Sequence, residues 1–251
     1  MSLRSFVGRF VSPDTKRHYY HLRYSLTGRK EHWHYSPEEK STLIRRALQV
    51  LEFNGITGGY AEFGVHGAVT FSAAYHHMKE IGFPRHFWAF DSFEGLPASD
   101  LPEHPHWVEG TLHTSYSEFE KLCKSKGIAA DDFSCVPGFY EDTIGPNAKY
   151  TGKLPDDIAM AYVDCDMLSS TREVLYFLRQ KMKHGMIIAF DDYFVYDTKN
   201  ISGNRGAFLE MVADEKRFNF LPYQPFNWNG MAFIVEDAAQ VAMHSAGHTP
   251  G

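Results

Sequence analysis

Four aspartates follow two apolar runs of this sequence, at a spacing that would allow their carboxyl groups to act together. Asp164 and Asp166 come after the apolar residues 158–163, and Asp191 and Asp192 close a second apolar run. Asp191 lies 27 residues after Asp164, a normal length for one strand–helix–strand crossover. Because right-handed crossovers bring both strand ends to the same edge of a sheet, Asp164, Asp191 and Asp192 are predicted to converge.

Carboxylates clustered in this way repel one another unless they are protonated or hold a cation. The predicted set offers only oxygen ligands, so the expected ion is hard, with Mg²⁺ first and Ca²⁺ or Mn²⁺ as the alternatives. The alternative to a cation site is a purely structural role, in which Asp192 caps a helix and Asp164 pairs with an arginine. Asp166 is expected to face the same way as Asp164, because alternate side chains of a strand share one side.

A second group of candidates lies at the ends of two earlier strand patterns. In YAEFGVHG, Glu62 precedes Gly64 in a turn that leads into a helix, whose N-terminus favours a carboxylate or phosphate. Asp91 ends the next apolar run, where a carboxylate suits two ribose hydroxyls. The glycines do not form a dinucleotide-binding fingerprint, and the sequence contains no P-loop motif. A plain tight turn is the alternative for Gly64 and Gly67.

The elements that would position these side chains alternate along the chain. Residues 36–55 predict a first helix, with Ser36 as its N-cap and Pro37 at its first position. Strands and helices then alternate, which is typical of a parallel sheet with helices on both faces. Ser170 and Glu173 predict a capping box that opens one of these helices. The predicted strands are Tyr60–Phe63, His86–Phe90, Phe133–Val136, Ile158–Val163, Met186–Phe190 and Met231–Val235, and the later helices are Ala68–Glu80, Ser117–Lys126, Thr171–Lys183 and Arg205–Asp214.

The composition limits the domain organisation and the classes of partner that can be expected. With 251 residues, 43% of them hydrophobic, we predict one domain over residues 36–251 after a basic, aromatic arm over residues 1–35. The formal net charge of -6 is too mild to name a partner, and we expect neither nucleic acid nor a membrane. The arm is interpreted as a surface segment or as a contact in a homo-oligomer. Three separated cysteines and the lack of a signal-peptide or membrane-span pattern favour a cytoplasmic protein.

Six segments of the chain resemble the macrocin O-methyltransferase family, the TylF-type enzymes that methylate sugars and phenols in antibiotic biosynthesis. They are YAEFGVHG, FWAFDSFEGLP, WVEGTLHTS, VPGFYEDTI, YVDCDMLSST and GMIIAFDDY, which occur here in the family's order. The resemblance implies an α/β class I S-adenosylmethionine (SAM) methyltransferase fold. This fold is a Rossmann-like three-layer sandwich with a mostly parallel seven-stranded sheet whose last strand is antiparallel. It also implies SAM and Mg²⁺ as cofactors and a small hydroxylated molecule as acceptor.

The resemblance further implies a role for each matching residue. Glu62 and Gly64 would lie under the methionine part of SAM, with Thr70 near its carboxylate. Asp91 would hold the ribose, with Ser92 beside it. The remaining implied contacts are Gly138, Phe139 and Tyr140 around the adenine, and Asp164, Asp191 and Asp192 on the divalent metal.

A chemical role for the acids follows from this resemblance. A metal lowers the pKa of a coordinated hydroxyl, and a nearby carboxylate takes the proton as the methyl group is transferred in line. Asp164 is the first candidate for this base and Asp166 the second, and we see no lysine near Asp164 that could act as the base. Two departures from the family are Ala68, where glycine is usual, and the segment MLSST, which bears on the substrate.

Two other functions are compatible with these motifs. A Mg²⁺-dependent phosphatase or phosphotransferase would use Asp164 and Asp166 as nucleophile and acid, although such enzymes carry this motif near the start of the domain. A non-catalytic protein of the same fold would bind a partner through the arm of residues 1–35 and transfer no methyl group. Binding of SAM and transfer to an acceptor distinguish the three hypotheses.

Overall fold

The structure is a computed structural model that describes residues 36–82, 84–99, 107–196 and 199–246. The arm predicted over residues 1–35 lies outside the described residues, so its role stays a prediction. The described part begins with a helix and continues with alternating strands and helices. Within it, every helix is too short or too polar to cross a membrane.

Helices flank the strands through most of the described chain. The helices are α1 (Pro37–Phe53), α2 (Val69–Ile81), α3 (Tyr116–Ser125), the short α4 (Tyr140–Thr143), α5 (Leu168–Arg179), α6 (Gly203–Asp214) and α7 (Ala238–Ala246). The strands are β1 (Gly59–Phe63), β2 (Phe87–Asp91), β3 (Phe133–Pro137), β4 (Ile158–Val163), β5 (Ile187–Phe190), β6 (Phe218–Phe226) and β7 (Gly230–Asp237).

The strands form one seven-stranded sheet in the order β3-β2-β1-β4-β5-β7-β6. Strands β1 to β5 pair in parallel, whereas β7 is antiparallel to both β5 and β6. This arrangement confirms the predicted mostly parallel sheet with an antiparallel last strand. In the register, Phe63 of β1 lies beside Val163 of β4, which lies beside Phe190 of β5. The chain therefore leaves these three neighbouring strands at one edge of the sheet.

Aromatic side chains pack on both faces of the sheet and hold the strand ends in place. On one face, the rings of Phe63 and Phe90 stack 4.5 Å apart, and Phe177 of α5 packs against both of them. On the other face, Phe71 of α2 contacts Phe87 of β2 edge-on at 5.5 Å. All of these side chains are buried. Because large aromatic residues dominate the energetics of a core, this packing stabilises the strand ends that carry the site.

The helix starts agree with the sequence at α1 and differ at α5. Ser36 caps α1 as predicted, because its Oγ accepts a hydrogen bond from the Glu39 N–H at 3.2 Å. The capping box predicted at Ser170 and Glu173 is wrong, since α5 already begins at Leu168 and has no side-chain cap. Ser170 and Glu173 therefore lie inside the helix, where both line the cleft described below.

Three elements were not predicted from the sequence, namely β6, α7 and the four-residue helix α4. Strand β6 contains Pro222 and Pro225, which cannot donate hydrogen bonds within a sheet, and it occupies the outer edge, where proline is tolerated. A shift in register follows Pro222. Helix α7 buries none of its residues, so it has no core-facing stripe by which periodicity would identify it.

Candidate functional site

A cleft of about 450 Å³ opens at the edge of the sheet where the parallel strands end. This volume is typical of a site for a small molecule. The loops that follow the strands, together with the start of α1, form its walls. The lining contains most of the residues that the sequence singled out: Gly64, Thr70, Asp91, Ser92, Gly138, Phe139, Tyr140, Asp164, Asp166, Asp191 and Asp192.

The acids after β4 and β5 come together, but the closest set differs from the predicted one. Asp164, Asp166 and Asp192 each present a carboxylate oxygen, and these oxygens lie within 4.8 Å of one another. Asp166 belongs to this set although β4 ends before Asp164, so alternation along a strand does not explain its direction. Its backbone adopts a left-handed conformation with φ of 60°, which bends the chain after the strand.

Asp191, the third member of the predicted set, is held by two other donors. Its Oδ2 accepts a hydrogen bond from Lys40 Nζ at 2.7 Å, and its Oδ1 accepts one from the Tyr162 hydroxyl at 2.5 Å. Lys40 Nζ also lies 3.9 Å from Asp164 Oδ2. Lys40 is therefore a lysine beside Asp164 that the sequence did not indicate, although it is an ammonium paired with carboxylates and not a base. Lys40 belongs to α1, far earlier in the chain, and only the packing of α1 brings it to this edge.

Burial and mutual repulsion oppose the simultaneous ionisation of these acids. Burial, followed by the charge of Asp191, raises the pKa of Asp164 and that of Asp192. Burial, followed by the charge of Asp192, raises the pKa of Asp166. Burial disfavours the Lys40 ammonium, but the surrounding carboxylates outweigh it and raise the pKa of Lys40. A bound proton or a further cation would therefore stabilise the cluster.

The donor set fits a hard divalent cation. It consists of carboxylate oxygens, the ligands that Mg²⁺ and Ca²⁺ prefer. Asp192 is oriented by two amides, because Asn229 Nδ2 donates to its Oδ1 at 2.8 Å and its own N–H donates to Asn204 Oδ1 at 3.2 Å. Neither contact was predicted, because Asn204 lies on α6 and Asn229 in the turn between β6 and β7, and only tertiary packing brings them to Asp192. Such supporting hydrogen bonds fix the orientation of a ligand carboxylate.

Gly64 allows the chain after β1 to approach the chain after β4. Its φ is 91°, and its N–H donates to the Phe90 carbonyl at 2.8 Å. A Cβ at this position would lie only 1.9 Å from the backbone oxygen of Asp164. Glycine is therefore required here by conformation and by space, and the position of Asp164 depends on it.

Glu62 lies beneath the cleft wall, where it supports Thr70. The side chain is fully buried, and its two oxygens accept hydrogen bonds from the hydroxyls of Thr70 at 2.6 Å and Tyr60 at 2.5 Å. Burial raises the pKa of Glu62 to about 7, although both hydrogen bonds act in the opposite direction. Glu62 thus acts on the cleft through Thr70.

Replacing Glu62 by glutamine should change how stability depends on pH. Because the folded-state pKa of about 7 lies above the ordinary 4.5, Glu62 stabilises the fold at low pH and loses that contribution as pH rises through 7. The unfolding free energy of the wild type minus that of Glu62→Gln should therefore fall by about 2 to 3 kcal/mol between about pH 5 and about pH 8. Urea denaturation at both pH values measures it. A difference that rises with pH would contradict the burial of this carboxyl group, and Glu109→Gln is the exposed control.

Asp91 fixes the turn after β1 and retains acceptor capacity. Its Oδ2 accepts from the Val65 N–H at 2.8 Å and its Oδ1 from the Phe93 N–H at 2.7 Å. Each carboxylate oxygen can accept a second hydrogen bond, so two ligand hydroxyls can be accommodated. The neighbouring Ser92 hydroxyl donates to the Gly95 carbonyl at 2.8 Å, which stabilises the loop after β2.

The loop after β3 supplies a third wall of the cleft. Gly138, Phe139 and Tyr140 line it, and the Tyr140 hydroxyl donates to the Phe90 carbonyl at 3.2 Å. Glu173 of α5 completes this wall, and its Oε2 is buried without a hydrogen-bond partner among the described residues. The sequence predicted Glu173 as a helix cap and gave no sign of this position.

Comparison with known proteins identifies the family to which this chain is similar. The family model described as macrocin-O-methyltransferase (TylF) matches residues 37–204. An 8-demethyl-8-(2,3-dimethoxy-alpha-L-rhamnosyl)-tetracenomycin-C 4'-O-methyltransferase from Streptomyces olivaceus is 29% identical over 160 residues, covering 60% of this chain and 58% of that protein. Mycinamicin III 3''-O-methyltransferase from Micromonospora griseorubida is 26% identical over 151 residues, covering 56% of this chain and 57% of that protein. The chain therefore spans less than two thirds of either relative.

Solved structures share the fold at lower sequence identity. The O-methyltransferase NovP has a TM-score of 0.65 at 20% identity, covering 79% of this chain and 80% of that chain. The calicheamicin methyltransferase CalS11 has a TM-score of 0.60 at 19% identity, covering 93% of this chain and 96% of that chain. At these identities the likeness shows the fold alone.

Proposed function

This chain belongs to the macrocin O-methyltransferase family, and from that premise we propose that it transfers the methyl group of SAM to a hydroxyl of a small molecule. One observation carries the proposal: a single cleft is lined both by Asp91 and by the cluster of Asp164, Asp166 and Asp192. The first suits the donor, and the second suits activation of an acceptor. A chain that bound SAM alone would have no need for the second group.

Three features of the cleft support SAM as the methyl donor. Asp91 can accept hydrogen bonds from two ribose hydroxyls, as its remaining acceptor capacity allows. The turn at Gly64 leads into α2, whose N-terminus favours the carboxylate of the methionine part. Phe139 and Tyr140 offer aromatic surface for the adenine, and Gly138 leaves space beside them.

A divalent cation, with Mg²⁺ first, is proposed at the acidic cluster. Asp164, Asp166 and Asp192 would hold it, and Asp164 and Asp192 also belong to the set that the sequence predicts with Asp191. When bound, such a cation would supply positive charge that lowers the pKa of an acceptor hydroxyl. The carboxylates would place that charge inside the same cleft as the proposed donor residues.

Asp164 is proposed as the base that takes the hydroxyl proton. Its side chain is partly exposed in the cleft, whereas Asp166 and Asp192 are buried. Burial and the charge of Asp191 raise the pKa of Asp164, so its carboxylate takes up a proton more readily than an ordinary aspartate does. Asp166, whose carboxyl group shares a hydrogen bond with Asp192, is the second candidate. Gly64 fixes the main chain at Asp164 and thereby the orientation of the base.

A sugar hydroxyl attached to an apolar ring system is the acceptor that we propose. The relatives described above are named for a rhamnosyl-tetracenomycin and for mycinamicin III. Two aromatic residues that are linked to the acidic cluster through Asn229 are exposed in this chain, namely Phe194 and Trp228. They adjoin Asn229, which accepts a hydrogen bond from the Phe194 N–H at 2.9 Å and contacts Asp192. Such a rim suits the apolar part of a glycosylated acceptor.

Neither alternative function explains the whole cleft. Family membership does not favour the phosphatase or phosphotransferase, which also leaves Asp91 and the wall after β3 without a role. A non-catalytic SAM-binding protein would not need a partly exposed Asp164 beside two further acids. This second alternative differs from our proposal only in turnover.

Two experiments test the proposal. The first is calorimetric titration with SAM in the presence and absence of Mg²⁺, and the second is a transfer assay on glycosylated acceptors. We expect SAM to bind under both conditions and transfer to require the cation. A failure to bind SAM would overturn the methyltransferase and leave the phosphatase. Binding without transfer to any hydroxylated acceptor would support the non-catalytic alternative.

A further inference from the structure

Lys40 places a positive charge at the acidic end of the cleft. Its ammonium donates to Asp191 Oδ2 at 2.7 Å and lies 3.9 Å from Asp164 Oδ2. The Lys40 side chain is 15% exposed and that of Asp191 is 3% exposed, so water is largely excluded from the pair. The Tyr162 hydroxyl holds the other oxygen of Asp191. Lys40 thus contacts two of the three acids that sequence spacing predicts as cation ligands.

At this position the Lys40 ammonium would repel a divalent cation bound by the acidic cluster. Asp164 belongs to the carboxylate set with Asp166 and Asp192, and it also lies beside the Lys40 ammonium. A divalent cation held by Asp164 would therefore lie close to Nζ. Because Coulomb repulsion at such distances is much stronger in a desolvated cleft than in water, ammonium and cation cannot both keep their positions without a large cost.

We propose that the Lys40 ammonium is a resident counter-ion, which a divalent cation displaces from Asp191 as it binds at Asp164. The inference rests on the proposed function, because that function requires the cation. Displacement would free one oxygen of Asp191 and return Asp191 to the set with Asp164 and Asp192 that the sequence predicts. Lys40 is then a positioning residue that pairs the acids before loading and limits how tightly the cation is held.

The attachment of α1 does not depend on this ion pair. The Ser36 N–H at the start of α1 donates to Asn227 Oδ1 at 3.1 Å, which ties the helix to the turn between β6 and β7. The apolar face of α1 is buried, and its buried residues are Leu43, Ile44, Ala47, Leu48 and Leu51. A rotation of the flexible lysine side chain is therefore enough for displacement, and removal of its charge should leave the helix in place.

Calorimetric titration of Mg²⁺ into the SAM-free protein tests whether Lys40 acts as a counter-ion. Lys40→Met keeps an apolar stem and removes the charge, and we expect it to bind Mg²⁺ tighter than the wild type by on the order of tenfold or more. Lys40→Arg retains the charge and should bind no tighter than the wild type. Arg45→Met removes a charge from the exposed side of the same helix and is the matched control, with affinity expected within about twofold.

A second measurement uses the wild type, so it does not depend on the folding of a variant. Saturating Mg²⁺ should increase the rate at which an amine-reactive reagent modifies Lys40 several-fold, because displacement exposes the amine. Peptide mass spectrometry measures the rate. Lys79, which is 51% exposed and pairs with Asp132, should react at the same rate with and without Mg²⁺.

The outcomes separate this inference from the proposed function. If the wild type binds Mg²⁺ but Lys40→Met binds no tighter and the labelling of Lys40 does not change, the counter-ion is wrong and the proposed cation stands. If neither protein binds Mg²⁺, both the proposed cation and the counter-ion are wrong. Tighter binding by Lys40→Met, with Lys40→Arg and Arg45→Met near the wild type, supports the inference.

Discussion

Replacing Asp164 by asparagine is expected to lower the rate of methyl transfer by at least about a thousandfold, because it removes the proposed base and one proposed cation ligand together. Asparagine has nearly the same shape, and the main-chain hydrogen bond from residue 164 to the Phe63 carbonyl at 2.8 Å is unaffected. Removal of one like charge should also relieve repulsion from Asp191. SAM affinity should therefore stay within a few-fold of the wild type. Steady-state rates and calorimetric SAM binding provide the two measurements.

The control for this prediction is Asp131→Asn, which makes the same chemical change at an exposed position outside the cleft and should leave the rate unchanged. Asp166→Asn identifies the base. If Asp166→Asn stops transfer while Asp164→Asn retains most of it, the second candidate is the base. An equal loss of SAM affinity and rate in Asp164→Asn would show instead that Asp164 belongs to the donor site.

Replacing Gly64 by alanine is expected to destabilise the fold by at least about 3 kcal/mol and to abolish SAM binding. The backbone at this position has φ of 91°, which alanine adopts only with strain. The added Cβ would also lie 1.9 Å from the Asp164 backbone oxygen, so the chains after β1 and β4 would have to separate. Chemical denaturation and SAM titration measure the two effects.

Gly82→Ala is the matched control because it separates conformational strain from the steric clash. Gly82 also has a positive φ, 74°, but a Cβ there would meet nothing within 4 Å. Its cost should be about 1 kcal/mol, with SAM binding retained. Similar losses for both variants would mean that close approach to Asp164 contributes nothing, and that Gly64 is a turn residue alone.

The fold was largely predictable because its signals are local. Apolar runs such as residues 158–163 predict buried strands, and the Ser36 cap followed by Pro37 marks the first helix. Local sequence signals predicted the wrong structure where the position of a segment in the tertiary structure outweighs its composition. The edge strand β6 tolerates two prolines that argue against a strand, and α5 starts ahead of the capping box that the sequence predicts at Ser170.

By itself, the sequence determined the parallel sheet, the acids at its strand ends and the resemblance to a methyltransferase family. Only the tertiary structure decided which groups those acids contact. It placed Asp166 in the closest carboxylate set through a left-handed backbone, and it paired Asp191 with Lys40 and Tyr162. The physical reason is that periodicity reports which face of an element is buried. Contacts between segments far apart in the chain, such as that of Lys40 on α1 with Asp191 after β5, arise from packing and are not indicated by local spacing.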